Sequence, residues 1–294
     1  MVHYFIIHVD LQKNGGFPIM AELINRRALK TEVKRLLADS EVSPKAMTAL
    51  YLGLLLVLNL LPMIPQEAGL LATFINILTF LMKLVLSAGF VLYCMAIRRG
   101  ERAEFLTLFD GFAFVGKIIA LNLIIFVFVF FWSMLFLVPG IIASYRYRFA
   151  LYNLFDNPEI SVMEALHLSK MQTFGYKAQL FALDLSYFGW TFLAMLPSAF
   201  YNSSLMLEPY MDTMDAVAST ISFVTPEFAA AAIMPAAAWT IVIGLWDLVV
   251  SMFYYPNFQC VELGYFETAK RTSGLNAQNS RKSWQNGPDN MGGF

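Results

Sequence analysis

The stretch Ile118–Val138 reads IIALNLIIFVFVFFWSMLFLV and decides the fold class. It contains no charged residue, and only Asn122 and Ser133 are polar. As an α-helix its 21 residues would be about 31 Å long, which matches the hydrocarbon core of a bilayer. A helix of that length that is apolar on every side is not expected in the core of a soluble protein. The stretch therefore predicts a membrane span.

The rest of the chain agrees with this prediction. Hydrophobic residues make up 58% of the sequence and charged residues only 14%, whereas a soluble domain carries about 25% charged residues. The lengths of the apolar stretches and the helix-breaking residues between them predict an all-α, polytopic membrane helix bundle over 46–256, with amphipathic helices at the membrane interface. The predicted spans are 46–64, 70–97, 118–138, 139–155, 178–200 and 228–255.

Basic residues are distributed unevenly and predict the orientation of these spans. Arg98, Arg99 and Arg102 directly follow the second span, whereas the loop 62–68 has no Lys or Arg. The loop 201–227 has four acidic residues and no basic one. By the positive-inside rule both termini, 98–117 and 156–177 are cytoplasmic, and the other two loops are outside.

This orientation requires an even number of crossings between residues 98–117 and 156–177. Because 118–138 crosses once, residues 139–155 must return, as a short crossing or a re-entrant helix after a break at Pro139-Gly140. Seventeen residues would span only about 25 Å as a helix. We predict six crossings, with five as the alternative.

The segments outside the bundle are predicted as follows. Residues 1–21 form a flexible extension, unless translation begins at Met20. Residues 22–40 form a basic amphipathic helix that suits an anionic membrane surface, at about 1 kcal/mol per basic residue; a solvated helix without a lipid role is the alternative. Ser161 and Glu164 predict the capped start of a short loop helix. Residues 271–294 are a disordered cytoplasmic tail. The candidate anionic-lipid contacts are Arg26, Arg27, Lys30, Lys34 and Arg35.

Five charged residues fall inside the predicted spans and form a candidate intramembrane charge layer. Counted from the cytoplasmic ends, Asp184, Asp247, Arg146 and Arg148 lie about 10–15 Å deep, and Lys83 lies near the middle of span two. A charge at the centre of a membrane helix costs about 2.5–3.5 kcal/mol, so each needs a partner or water. The layer is either a site for an ion, a proton or a headgroup, or, as we favour, a set of structural pairs. Helix rotation decides which acid meets which arginine.

Conventional catalysis finds no support in the sequence. No HExxH, G-x-S-x-G or phosphate-binding glycine loop is present, and none of the three histidines lies in a predicted span. Gly244-Leu245-Trp246-Asp247 departs from the GxGD pattern of intramembrane proteases, because Trp246 replaces its second glycine. We expect no cofactor, no metal and no enzymatic activity. The net charge of −1 gives no reason to expect nucleic acid as a partner.

Several segments resemble a bacterial membrane family described as domain of unknown function 975. They are Arg27–Leu37, Arg99–Glu101, Leu108–Phe112, Trp132–Tyr147, Asp156–Ser161, Glu164–Phe181 and Leu185–Trp190. Asp110 stands where the family usually has a small polar residue, and 201–227 is longer than in short members. The resemblance covers roughly residues 22–270 and implies a location in the bacterial cytoplasmic membrane. It implies no activity.

Three functional hypotheses follow. The leading one is a membrane component that binds anionic lipids, or a protein partner, through the basic helix and the cytoplasmic loop helix. A small transporter or channel-like protein that uses the charge layer is the second. A membrane-embedded lipid enzyme is the third, although no recognisable residues support it. Oligomeric state does not follow from the sequence.

Overall fold

A computed structural model of the protein describes residues 21–63, 69–218 and 236–285. These residues form helices and contain no strand, which confirms the predicted all-helical class for them. The α-helices in chain order are α1 (Arg26–Ala38), α2 (Pro44–Leu60), α3 (Leu70–Arg99), α4 (Val115–Leu135), α5 (Leu137–Arg146), α6 (Ala150–Asp156), α7 (Val162–Gln172), α8 (Lys177–Ala218) and α9 (Ala236–Gln285); a 3₁₀ helix, Phe105–Phe114, precedes α4. Residues 1–20 of the predicted extension, 228–235 of the last predicted span and 286–294 of the tail lie outside the described residues.

Four helical stretches are long and apolar enough to cross a membrane. They are Leu70–Arg99, Phe105–Leu135, Lys177–Tyr201 and Ala238–Ser273. Helix α2 is apolar but has 17 residues, and α5 and α6 have 10 and 7. By length and composition the described part of the chain is therefore compatible with a membrane protein. These four helices account for four crossings, two fewer than the six predicted from the sequence.

One end of the bundle, here called the base, brings together distant parts of the chain. Arg271 in α9 pairs with Glu22 before α1 (2.9 Å), whose amide donates to the Tyr176 hydroxyl (3.0 Å). Arg99, at the end of α3, pairs with Asp156 at the end of α6 (3.1 Å). Asp156 also pairs with Lys270, the neighbour of Arg271 in the chain, so residues near 22, 99, 156, 176 and 271 lie at the same end.

The buried core lies toward the base. Most of 85–97 in α3 is buried, as are most residues of 149–155 and of 260–269. The opposite ends of the long helices expose large apolar side chains: Leu70 is 91% exposed, Phe136 73% and Phe200 75%. A soluble protein rarely exposes so extensive an apolar surface, and a bilayer would cover it.

The chain reverses direction at Phe136, which corrects the break predicted at Pro139-Gly140. Phe136 adopts an extended conformation (φ −159°, ψ 151°) between α4 and α5. Pro139 instead lies in the first turn of α5, where its missing N–H costs no helical hydrogen bond. A Cβ on Gly140 would lie 2.0 Å from Ser133 Oγ, so glycine allows the two helices to approach closely.

The segment after this reversal runs antiparallel to α4. Gly140 meets Ser133, the Tyr147 ring stacks on Phe128 (5.7 Å), and Ala150 packs in a cluster with Leu121. Lys117, near the start of α4, donates to the carbonyls of Pro158 and Ile160. The returning segment thus follows α4 back to its beginning, as two short helices separated by 147–149 rather than as one.

Helix α9 continues well past the expected end of the last span. That span is predicted to end at Tyr255, before Pro256, but α9 runs through Pro256 to Gln285 and so into the tail predicted to be disordered. A proline inside a helix removes one hydrogen bond, a loss that neighbouring helices can offset. Residues 260–266, beyond the proline, are all buried at the base.

Two short helices complete the base. Helix α7 begins as predicted at Ser161, whose hydroxyl accepts from the Glu164 amide (3.2 Å). The 3₁₀ helix packs tightly on α3, because a Cβ on Gly89 would lie 1.8 Å from the Leu108 carbonyl oxygen. A Cβ on Gly111 would similarly lie 2.6 Å from the Val85 carbonyl oxygen. These two glycines let the backbones touch.

Candidate functional site

Arg148 holds two carboxylates from different helices, and we call these three residues the Arg148 centre. Its guanidinium donates to Asp184 of α8 over 2.6 and 2.8 Å and to Glu262 of α9 over 2.8 and 2.8 Å. Arg148 itself lies in the turn between α5 and α6. Both contacts are bidentate, the geometry for which guanidinium is best suited. The centre therefore ties three segments of the chain together.

Polar side chains around the centre satisfy the carboxylates further. The Tyr145 hydroxyl donates to Asp184 (2.6 Å) and the Tyr152 hydroxyl to Glu262 (2.8 Å). Gln259 donates in turn to the Tyr152 hydroxyl (2.7 Å). Each of the four carboxylate oxygens accepts at least one hydrogen bond, which buried charges require.

The centre is only partly shielded from solvent. The side chain of Glu262 is 5% exposed, that of Arg148 19% and that of Asp184 32%. One positive and two negative formal charges leave a surplus of one negative charge, which the two tyrosine hydroxyls help to stabilise. Loss of the arginine would leave two carboxylates close together without a counter-charge.

The other predicted members of the charge layer lie apart from this centre. Asp247 accepts a hydrogen bond from Ser251 (2.9 Å), one turn along its own helix. Lys83 donates to Asn59 of α2 (2.6 Å). The carbonyl of Arg146 accepts from Ser169 (2.9 Å), but among the described residues no carboxylate lies within ion-pair distance of its guanidinium. Of the five predicted residues, the structure brings together only Arg148 and Asp184.

Sequence reasoning missed Glu262, the most buried member of the Arg148 centre. The predicted bundle ends at Pro256, so Glu262 lies outside it in the prediction. The stretch Cys260–Phe266 contains a sequence signal, since Glu262 is its only charged residue. An isolated acid in an apolar run usually has a buried partner.

A second set of ion pairs links the ends of helices at the base. Arg98 in α3 bonds with Glu267 in α9 (2.5 and 2.9 Å) and lies 3.8 Å from Glu32 in α1. Asp156 pairs with Arg99 and also with Lys270 of α9. These contacts join α1, α3, α6 and α9 and have the character of structural links.

The five candidate lipid contacts of α1 divide into two groups. Arg26 donates to the Ala182 carbonyl of α8 (2.5 Å), and Lys30 donates to the Ser186 hydroxyl (3.0 Å). These two side chains therefore contact the bundle. Arg27, Lys34 and Arg35 are exposed, and no described carboxylate lies within ion-pair distance of them.

The comparison with known families identifies one segment. Residues 136–218 match the family model described as "Protein of unknown function (DUF975)". Residues 136–218, here called the DUF975 segment, are similar to that family. The match confirms the resemblance for residues 136–218; the resembling segments Arg27–Leu37, Arg99–Glu101 and Leu108–Phe112 lie outside it. The DUF975 segment spans α5 to α8 and so contains Arg148 and Asp184 but not Glu262. No curated protein and no solved structure matches the chain.

Proposed function

We propose that this protein is a non-enzymatic, multi-pass component of the bacterial cytoplasmic membrane. Its base faces the cytoplasm, and α1 holds anionic phospholipid headgroups against that base. The DUF975 match and the apolar helices support a membrane protein of a family without an assigned activity. The choice of lipid rests on α1.

The docking of α1 is the observation that carries the proposal. Val33 is fully buried, and the Leu29 side chain packs against the backbone of Gly264 in α9. This apolar face fixes the helix against the base and leaves Arg27 and Arg35 on its exposed face. A basic helix held beside membrane-length apolar helices is suited to attract the acidic lipids around it.

The base also supports six crossings with both termini inside. Residues near 22, 99, 156 and 271 lie at the same end of the bundle, so each intervening piece of chain must cross an even number of times. Two crossings in each piece are accounted for by α2 and α3, by α4 and the α5–α6 segment, and by α8 and α9. On this proposal the α5–α6 segment is the short fourth crossing.

We assign the Arg148 centre a structural role in preference to a transport role. A transport site must exchange its ligand, whereas all four carboxylate oxygens here already accept hydrogen bonds from the protein. Asp247, the second acid of the predicted pathway, makes its hydrogen bond within its own helix. These contacts favour a structural role in which the Arg148 centre holds three segments of the chain together.

The lipid proposal can be tested with spin-labelled lipids in reconstituted vesicles. The immobilised fraction of labelled phosphatidylglycerol should exceed that of labelled phosphatidylcholine in the wild-type protein. Arg27→Gln/Arg35→Gln should lower this preference, because each basic residue near an anionic surface contributes about 1 kcal/mol. High salt should lower it as well.

Asp39→Asn provides the matched control of opposite sign, since Asp39 is an exposed acid at the end of α1. It should raise the preference for phosphatidylglycerol slightly. Equal immobilisation of the two lipids by the wild-type protein would refute the proposal. The remaining hypothesis for α1 would then be a protein partner.

A further inference from the structure

A lateral cavity of about 700 Å³ opens between α1, α2, α8 and α9 near the base. This volume falls within the range of about 300–1,000 Å³ that is typical of small-molecule sites. The walls differ in chemistry. Lysines contribute charge on one side and aromatic side chains form the other; the residues that matter here are Lys30, Lys34, Lys45, Trp190, Phe253 and Tyr254.

Three lysines in the lining of the cavity are its basic residues. Among the residues that the structure describes, no carboxylate lies within ion-pair distance of Lys30, Lys34 or Lys45. Glu41, the acidic residue in the lining, lies 4.0 Å from Arg102. The cavity therefore carries a surplus of positive charge, which favours an anionic occupant.

Lys30 lies in surroundings that oppose its positive charge. Its ammonium donates to Ser186 Oγ (3.0 Å) and lies 3.9 Å from the centre of the Tyr187 ring. Its pKa is lowered from the usual 10.5, first by burial and then by the charges of Arg26 and Lys34. An anion beside Lys30 would offset all three effects.

The aromatic wall continues into an apolar strip along α9. Phe253, Val249, Trp246 and Val242 recur at helical spacing and are 60%, 53%, 40% and 41% exposed. Lys45 lies at the junction, 5.4 Å from the centre of the Phe253 ring. A small free anion would use only the lysines. A lipid would use both features, with its headgroup at the lysines and an acyl chain along the strip.

We propose that this cavity holds one acidic phospholipid, with its phosphate among Lys30, Lys34 and Lys45 and an acyl chain along Phe253, Val249, Trp246 and Val242. The inference rests on the proposed function, which requires only a general attraction of anionic lipid to α1. It adds a single saturable site, and it adds Lys45 on α2 as a lipid contact.

The number of lipids retained by the purified full-length protein tests this site. Native mass spectrometry should show one phosphatidylglycerol bound more tightly than further copies, and no equivalent phosphatidylcholine. Lys30→Gln/Lys45→Gln should weaken that first binding about 10- to 30-fold, because two basic contacts are lost. Lys170→Gln/Lys177→Gln removes the same charge from residues that lie neither in α1 nor in the lining of the cavity, and should leave the first binding unchanged.

Trp190 offers a second measurement that leaves every lysine in place. Phosphatidylglycerol brominated on its acyl chains should quench the fluorescence contributed by Trp190, taken as the difference between the wild-type protein and Trp190→Phe. The corresponding phosphatidylcholine should quench it much less. If circular dichroism shows that the lysine variant does not fold, the quenching measurement alone tests whether the cavity binds phosphatidylglycerol.

The outcomes separate the two proposals. An equal loss of binding in both double variants, with wild-type preference intact, would overturn the cavity site and leave the general attraction standing. No preference for phosphatidylglycerol in the wild-type protein would overturn both. Displacement of the lipid by millimolar inorganic phosphate would identify a free anion as the occupant and overturn the lipid assignment.

Discussion

Arg148 shows how a single residue can join segments that are far apart in the chain. Its guanidinium bonds bidentately with Asp184 and with Glu262, which lie 36 and 114 residues away. Substituting an acid and substituting the arginine have different consequences, because Asp184 and Glu262 share one positive charge, that of Arg148. Removal of one acid leaves a neutral pair, whereas removal of the arginine leaves two uncompensated carboxylates.

This asymmetry predicts an order of stabilities. Arg148→Gln should cost about 3–5 kcal/mol, the range for breaking a buried ion pair. Glu262→Gln should cost less, and Asp184→Asn less again because Asp184 is 32% exposed. Asp247→Asn should change stability least, since among the described residues Asp247 forms no ion pair and accepts a hydrogen bond from Ser251. Melting temperatures in detergent measure the order.

Double-mutant cycles provide the control for this prediction. Glu262→Gln should restore part of the stability that Arg148→Gln removes, because it takes away one of the stranded charges. Arg146→Gln combined with Glu262→Gln should be additive, since those side chains form no ion pair. Additivity in the Arg148 cycle would contradict the contact.

Lys30 makes a prediction about pH. Its folded pKa is lowered by burial and by Arg26 and Lys34, so it loses its charge at a lower pH than an ordinary lysine. Affinity for an acidic phospholipid should therefore begin to fall as the pH rises through that lowered pKa. Conversely, the lipid should raise the pKa of Lys30, because a phosphate favours the charged form.

Nuclear magnetic resonance of ¹³C-dimethylated lysines in nanodiscs measures this titration, with Lys30→Arg identifying the signal. Lys270 is the control, because it lies at the base outside the cavity and bonds with Asp156. Its signal should not respond to phosphatidylglycerol. An unchanged Lys30 titration on adding that lipid would contradict the prediction.

At the scale of the element, glycines set how closely helices approach. The 3₁₀ helix lies against α3 because Gly89 and Gly111 present no Cβ to the opposite backbone. Backbone atoms cannot move aside as a flexible side chain can. The contact therefore depends on glycine, although glycine inside a helix is otherwise unfavourable by about 1 kcal/mol relative to alanine.

Gly89→Ala should lower the stability of the protein by about 1–3 kcal/mol, because the added methyl group would meet the Leu108 carbonyl. Gly53→Ala is the matched control: it lies inside α2, and its Cβ would have no neighbour within 4 Å. That substitution should be neutral or slightly stabilising. Thermal unfolding in detergent compares the two. Equal melting temperatures would show that α3 and the 3₁₀ helix are not in tight contact.

At the scale of the whole molecule, the base determines the proposed topology. In a protein with Cys94→Ala and Cys260→Ala, single cysteines at Gln66 and Asp212 should react with an impermeant maleimide from outside intact cells. Cysteines at Arg102 and Lys170 should react only after permeabilisation. Labelling at Lys170 from outside would place 156–177 on the other face and leave five crossings.

Much of this architecture could be predicted from the sequence, because the signals concerned are local. A run such as Ile118–Val138 is apolar throughout, whatever it packs against, so a bilayer-length helix follows from composition alone. The N-terminus of α7 was equally predictable, since Ser161 caps an amide only three residues away. Basic residues in α1 likewise predict attraction to an anionic surface without knowledge of any neighbour.

The tertiary structure decided what depends on neighbours in space. Helix α9 continues through Pro256 because residues 260–266, directly beyond the proline, are buried at the base, where packing against other helices offsets the lost hydrogen bond. The reversal falls at Phe136 because Gly140 can then approach Ser133. Arg148 meets Glu262 instead of Asp247 because α9 continues past Pro256 and carries Glu262 to the level of Arg148, whereas Asp247 lies fifteen residues earlier, about 22 Å away along the helix. A linear pattern fixes which residues lie on one face of a helix, but the surrounding packing decides which partner that face meets.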